Sequence, residues 1–405
     1  ESATAYKLSG LFPHETVKLA ANGSIQGIVL PASAGVVPTA DDLAATEDVP
    51  LTAEIKSQAA ALHNNPVEIH NWVRNTIEFI PSYGSIQGAA MTLQTKRGNA
   101  FDTASLEIAL LRAANIPARY VYGTIEVPIA KVMNWVGGVT TPGAAQSLLS
   151  QGGIPNVALV SGGVVSHIRM EHVWVEAYVD YLPSRGAKNV EGDTWVPLDP
   201  SFKQYSDIAS LVPNSFSTTI TNVAQSYVQS ATTSPDGVWS TGYDMDLLST
   251  PLDQAQTQMA SVLASNPDKI LTEDIVGRRQ IIAMAPPVLM GSLPYRVVTV
   301  GTRVAQLPDT LRVKAQVELY SVDAGGMEGA QLMSTSVSLA ALGYDSLNIS
   351  HVPATPGDAA TWDSYINSGA TKFPAYLVRV KSQLKLAGDV IAESPAFQVG
   401  QDLLL

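Results

Sequence analysis

The stretch Lys96–Gly123, KRGNAFDTASLEIALLRAANIPARYVYG, constrains the fold of this chain more than any other. Gly98 and Asn99 suit a tight turn, and Asp102 and Thr103 are residue types that favour a helix start. Ala104, Leu106, Ile108, Leu110, Leu111 and Ala113 then surround most of a helix. A helix apolar on most sides belongs in a core. Asn115 and Pro117 end it, and Arg119–Tyr122 reads as a strand. Ala100 stands at the turn-to-helix junction. A side chain there looks at the positive end of the helix dipole and at backbone N–H groups without intrahelical partners. A thiol so placed would have a lowered pKa and would act as a nucleophile. Alanine has no such chemistry.

The stretch resembles the transglutaminase-like superfamily of papain-related thiol enzymes. The family's motif reads G-N-C-F-D, followed by L-L-R-A-x-x-I-P-A-R-Y-V-x-G. Gly98, Asn99, Phe101, Asp102, Leu111, Arg112, Ala113, Ile116, Pro117, Ala118, Arg119, Tyr120, Val121 and Gly123 match it. The departure is Ala100, where the family has cysteine. The resemblance covers about residues 60–205 by motif spacing and implies an α+β fold, a helix packed on an antiparallel sheet.

Two later stretches fit. Glu171–Val179, EHVWVEAYV, alternates strictly, which marks a strand. Val173, Val175, Ala177 and Val179 form the core face. His172, Trp174, Glu176 and Tyr178 form the other, an aromatic and polar surface suited to an active-site wall. Trp195–Phe202, WVPLDPSF, is a second strand that stops at Asp199-Pro200. Taken alone, His172 reads as structural and Asp199 as a turn starter. The resemblance implies Ala100 as the nucleophile position, His172 as general base and acid, and Asp199 as its orienter. Gln87 or Tyr83 is a candidate oxyanion donor or else a plain loop residue. Tyr83, Trp135 and Trp174 are candidate cleft residues. The long segment Thr124–Arg169, with its three Gly-Gly pairs, is expected to wall one side of the cleft.

Composition narrows the partners. Hydrophobic residues make up 46% of the chain and charged residues 15%, which supports real cores in two or three domains. Net charge is −12, with no basic cluster longer than Lys96-Arg97, so no nucleic-acid footprint exists. The apolar run Gln280–Tyr295 holds Pro286 and Pro287 and is too short to span a bilayer. The chain has no cysteine, which removes disulfides and thiolate metal sites. No cofactor and no metal are expected. His63 and His70, on or near helices, read as surface or packing residues. The chain opens on Glu1 without a signal-like run and reads as a trimmed or excised piece. Its Ser/Thr/Ala/Gly-rich, lysine-poor composition gives the expectation of an exported bacterial protein.

Four regions are expected. Residues 1–50 form an N-terminal extension or strap, with a hairpin at Val17–Leu30. Residues 51–206 form the catalytic domain, opening with helices at Leu51–His63 and from Pro66. Residues 207–290 form a helical or irregular connector, including a helix at Ser249–Ala264. Residues 291–405 form an all-β, sandwich-like domain, with strands at Tyr295–Gly301, Thr310–Tyr320, Gln331–Leu339, Ala375–Leu386 and Val390–Val399. His351 lies there without an assigned partner.

Three functions follow. The first is a thiol enzyme that attacks a peptide or glutamine carboxamide of a protein or peptide, its own chain included, through a thioester. On this reading Ala100 is an engineered knockout, and self-cleavage falls near residues 30–50 or 205–240. The second is a natural pseudoenzyme that binds protein. The third, a metal hydrolase using His167, Glu171 and His172, suffers because adjacent strand residues point to opposite faces.

Overall fold

A computed structural model of the protein describes residues 37–211, 214–267, 272–323, 325–369, 371 and 373–405. The hairpin expected at Val17–Leu30 and most of the expected strap lie outside them. The chain divides into two compact units, one of Glu1–Gln204 with Ala283–Leu405, the other of Tyr205–Ile282.

The first unit opens with helices α1 (Ala53–Ala61), α2 (Pro66–Thr76) and α3 (Gly88–Thr95). Thr52 and Asn65 cap α1 and α2 through their side-chain oxygens, and Pro66 takes the first position of α2, where its missing N–H matters least. Helix α4 (Ala100–Ala113) begins two residues before the expected start because Asn99 is its cap: Asn99 Oδ1 accepts from the Asp102 N–H at 2.9 Å. Every residue from Ala100 to Arg112 is buried. At the far end the Arg112 guanidinium donates to the carbonyls of Ala44, Ala118 and Ala305. A cation there also complements the helix dipole.

Helix α4 lies on a sheet of strands β1 (Ala118–Pro128), β2 (Asn156–Ser161), β3 (Val164–Val179), β4 (Thr194–Leu198) and β5 (Arg296–Val304). The order is β5-β1-β3-β2, with β4 also paired to β3, and all pairs are antiparallel. Register places Gly123 opposite His172. Tyr120, Tyr122, Val173, Val175 and Ala177 share a core with α4. The other face is buried as well. Val121, Ile125, Met170 and Trp174 pack with α5 (Ile129–Trp135) and α6 (Pro142–Gln151). The face of β3 expected to be an active-site wall is therefore largely a second core, and Trp174 belongs to it.

β5 corrects another expectation. Tyr295–Gly301 is expected in the C-terminal β region, whereas Arg296–Val304 is an edge strand of the central sheet. Gly123 makes this possible. A Cβ there would collide with the Thr299 carbonyl and lie 2.9 Å from the Trp174 ring. Arg119 of β1 and Arg303 of β5 both bond Glu176 of β3, Arg303 reaching across β1, and the Arg119 guanidinium stacks on Trp195 at 3.8 Å.

Beyond β5, Lys314–Val322, Glu328–Ser338 and Leu403–Leu404 form one sheet. Leu347–Pro353, Arg379–Leu386, Asp389–Glu393 and Phe397–Gln398 form another. Leu319 and Met333 of the first meet Leu384 of the second, a sandwich-like contact, but the region is not all-β as expected: Thr355 caps a helix at Pro356–Asn367 within it. His351 bonds the Ser382 hydroxyl at 3.0 Å, a partner the sequence did not suggest. The second unit holds helices Asn214–Ser230 and Asp246–Ala264 and an antiparallel pair, Tyr205–Ile208 with Arg278–Ile281.

Candidate active site

The first turn of α4 is fixed from two sides. Asn99 Nδ2 donates to the Gly84 carbonyl at 2.7 Å and the Ser82 hydroxyl at 3.2 Å, tying the loop before α3 to the start of α4. Asp102 Oδ1 accepts from the backbone N–H groups of Ile86, Gln87 and Gly88 at 2.9–3.0 Å. One carboxylate thus closes the N-terminus of α3. Burial pushes the Asp102 carboxyl up to about 6, against those three donors, which favour its charged form. Gly98 sits inside this knot: a Cβ would lie 3.1–3.2 Å from Thr92, Asp102 and Thr103.

His172 lies on β3 and Asp199 follows β4. His172 Nε2 and Asp199 Oδ2 are 2.9 Å apart, and both side chains are buried. Four more donors reach the carboxylate. The Tyr295 hydroxyl bonds Oδ2 at 2.7 Å, and the Ser201 N–H, the Ser201 hydroxyl and the Phe202 N–H bond Oδ1. Burial works to raise the Asp199 pKa. The positive charge of His172 when protonated, and the bonds from His172, Tyr295 and Ser201, overcome it and hold the carboxyl well below the usual carboxylate range. An ionised Asp199 only accepts, so Nε2 carries the proton and Nδ1 is left to accept one.

Aromatic rings hold the imidazole. Trp135 meets it edge-on with centroids 5.5 Å apart, and Tyr295 does so at 5.8 Å. The Trp135 indole N–H donates to the Ser201 carbonyl at 2.9 Å, which fixes that ring in turn.

Ala100 and His172 line one cavity of about 10 Å³, with Phe79, Ser82, Tyr83 and Trp135 among its walls. That is room for roughly one water. Leu149 of α6 and Ile154 also line it, so the long segment after β1 does supply one wall. Tyr83 is brought to the site. Its hydroxyl lies 2.6 Å from that of Tyr122 and 3.3 Å from Glu171, and burial and Glu171 push its pKa up. It stays a hydroxyl donor at neutral pH.

Gln87 is not brought to the site. Its side-chain amide donates to the Arg97 carbonyl beside the N-terminus of α3, and it is absent from the cavity wall. Trp174 is likewise absent, because its ring packs over Gly123. His167, Glu171 and His172 take separate partners, Ser166, the two tyrosines and Asp199. Among the described residues no group of three His, Asp or Glu side chains is placed to hold a metal. None of their helices is long and apolar enough to cross a membrane.

Sequence reasoning missed Tyr295, which lies 96 residues beyond Asp199 with no motif around it. It also missed Lys203, wholly buried, which donates to the Ile77 carbonyl. Burial lowers the Lys203 pKa to about 7, with Asp199 and Glu107 pulling the other way. A lysine three residues after a turn-forming Asp-Pro carries no signal of burial.

Residues 50–200 match the model of the transglutaminase-like superfamily. No curated protein matches the chain. Among solved structures, a proposed cysteine protease from Cytophaga hutchinsonii aligns at 18% identity, over 40% of this chain and 40% of that one, with a TM-score of 0.24. The aligned part spans less than half of that protein.

Proposed function

We propose that residues 50–200, the transglutaminase-like part of this chain, form a thiol acyl-transfer site whose nucleophile position is occupied by Ala100. The observation that carries this reading is the buried His172–Asp199 pair beside the cavity that Ala100 also lines. With cysteine at 100, His172 Nδ1 takes the thiol proton and the thiolate attacks a peptide or glutamine carboxamide. The C–N bond then breaks, the imidazolium protonates the departing amine or ammonia, and a thioester remains. Water or a second amine resolves it. The oxyanion rests on N–H groups at the start of α4, with Tyr83 replacing Gln87 as the side-chain donor. Loss of the nucleophile from such a unit removes about 10⁴–10⁶-fold of the rate, so the chain with alanine is silent.

The test is Ala100→Cys with a glutaminyl peptide and hydroxylamine. Hydroxamate or free acid should form, and His172→Ala in the same protein should abolish both. No product with a range of carboxamides, from a protein whose melting curve is unchanged, would count against an acyl-transfer site.

A second reading is a binding domain that has dispensed with catalysis. Ala100 favours it, since the start of the helix carries no nucleophile as the chain stands. It expects the Ala100→Cys protein to bind peptide and turn nothing over.

A further inference from the structure

A second cavity lies against the carboxylate that holds His172. It measures about 320 Å³, and Asp199, Leu198 and Phe202 line one side of it. The facing wall is the irregular segment 283–294, through Met284, Val288 and Leu293. That segment is fastened to the helix beside it. Asn75 and Asn71 of α2 donate to the Met284 and Pro286 carbonyls at 2.6 and 3.0 Å. It then leads directly into Tyr295, the donor to Asp199.

The size falls at the lower end of small-molecule pockets, ~300–1,000 Å³. Its lining is mostly apolar, and basic side chains outnumber acidic ones on it. His70, Arg74 and Lys131 line it, His70 held by the buried Glu107 at 2.8 Å and Arg74 bonded to Asn75, while its one acid, Asp199, is already engaged by five donors. The chain carries 36 acidic residues against 24 basic ones. With Asp199 satisfied and His70 paired, Arg74 and Lys131 leave positive charge on an apolar cavity, which runs against that balance and complements an anion.

We infer that this cavity binds a small carboxylate with an apolar tail. The tail packs against Leu198, Phe202, Val288 and Leu293, and the carboxylate meets Arg74 and Lys131 at the mouth. With Asp199 in the wall, occupancy is felt at His172. The inference goes beyond acyl transfer and stands or falls separately from it, because the chain with Ala100 is sufficient to test it.

The experiment titrates the full chain, labelled with ¹⁵N-histidine, with sodium octanoate and, in parallel, with 1-octanol. Calorimetry should give saturable one-to-one binding of octanoate, with octanol weaker by about tenfold for want of the charged contact. Lys131→Gln should weaken octanoate by about tenfold and leave octanol unchanged. Val288→Trp should remove both by filling the cavity, and the His172 ring signals should move as octanoate saturates. No saturable binding of octanoate would overturn the assignment. So would equal affinity for octanol, or binding that leaves the His172 signals in place. If Val288→Trp does not fold, the surface variant Lys131→Gln still decides between the outcomes.

Discussion

At the scale of single residues, the site is built from buried charge held by a surplus of donors. Asp199 accepts five hydrogen bonds, and two of its donors, His172 and Tyr295, share one oxygen. Tyr295→Phe removes one of these and leaves the carboxylate ionised and buried. It should lower stability by about 1–3 kcal/mol, read by urea denaturation, and slow the Ala100→Cys enzyme. An unchanged urea midpoint would mean that the hydroxyl holds nothing. Lys203 gives a pH signature. Its pKa falls from an ordinary 10.5 to about 7 in the folded protein, so between those values the unfolded chain binds a proton that the folded chain does not. Stability contributed by this residue therefore rises with pH from about 7 upward, by at most ~1.4 kcal/mol per unit. Below pH 7 the folded state carries the full penalty of a buried cation. Subtracting the profile of Lys203→Met from that of the native chain should isolate this slope. A flat difference between pH 7 and 9.5 would show that the ammonium is solvated.

At the scale of elements, the motif's residues turn out to be structural joints. Asn99 caps α4, Asp102 closes α3, Arg112 gathers carbonyls from three segments, and Arg119 joins Glu176 to Trp195. Gly123 lets β5 and the Trp174 ring approach β1. Gly123→Ala should destabilise by about 1–3 kcal/mol through overpacking against backbone, with the largest gain in hydrogen exchange along Arg296–Val304. Exchange unchanged on that strand would mean that the pairing does not depend on the glycine. Turn, helix and strand were legible because periodicity and capping chemistry are local. The alternation of Glu171–Val179 was legible too, but not that both of its faces are buried. That depends on α5 and α6, whose packing no local pattern encodes. Gln87 misled for the same reason: its side chain answers to Arg97 across a turn, not to its distance along the chain from Ala100.

At the scale of the whole molecule, the unit that holds the site is tied together by contacts distant in sequence. Asp48 accepts from Ser85 at 2.6 Å and from Arg312 at 2.8 Å, so the described end of the N-terminal segment, the loop before α3 and the start of the C-terminal strands meet at one carboxylate. Asp48→Ala leaves Arg312 buried with only Glu47 and Asp309 nearby. A loss of about 3–5 kcal/mol is expected on breaking a buried pair, visible as a lowered urea midpoint. A loss under ~1 kcal/mol would show that those two acids are enough. Tyr295 and β5 belong to this level as well. They were illegible because nothing in a segment of alternating valines and threonines says which sheet it joins.

The central claim is that His172, backed by Asp199, serves the position of Ala100. It is tested by the alkylation rate of the Ala100→Cys protein with iodoacetamide across pH 5–9, with and without His172→Ala. A thiol that reacts faster than free cysteine at pH 7, through an acid-shifted pH profile that His172→Ala returns to the ordinary thiol range, is the expected result. A thiol with the same slow, unshifted profile in both proteins would contradict it.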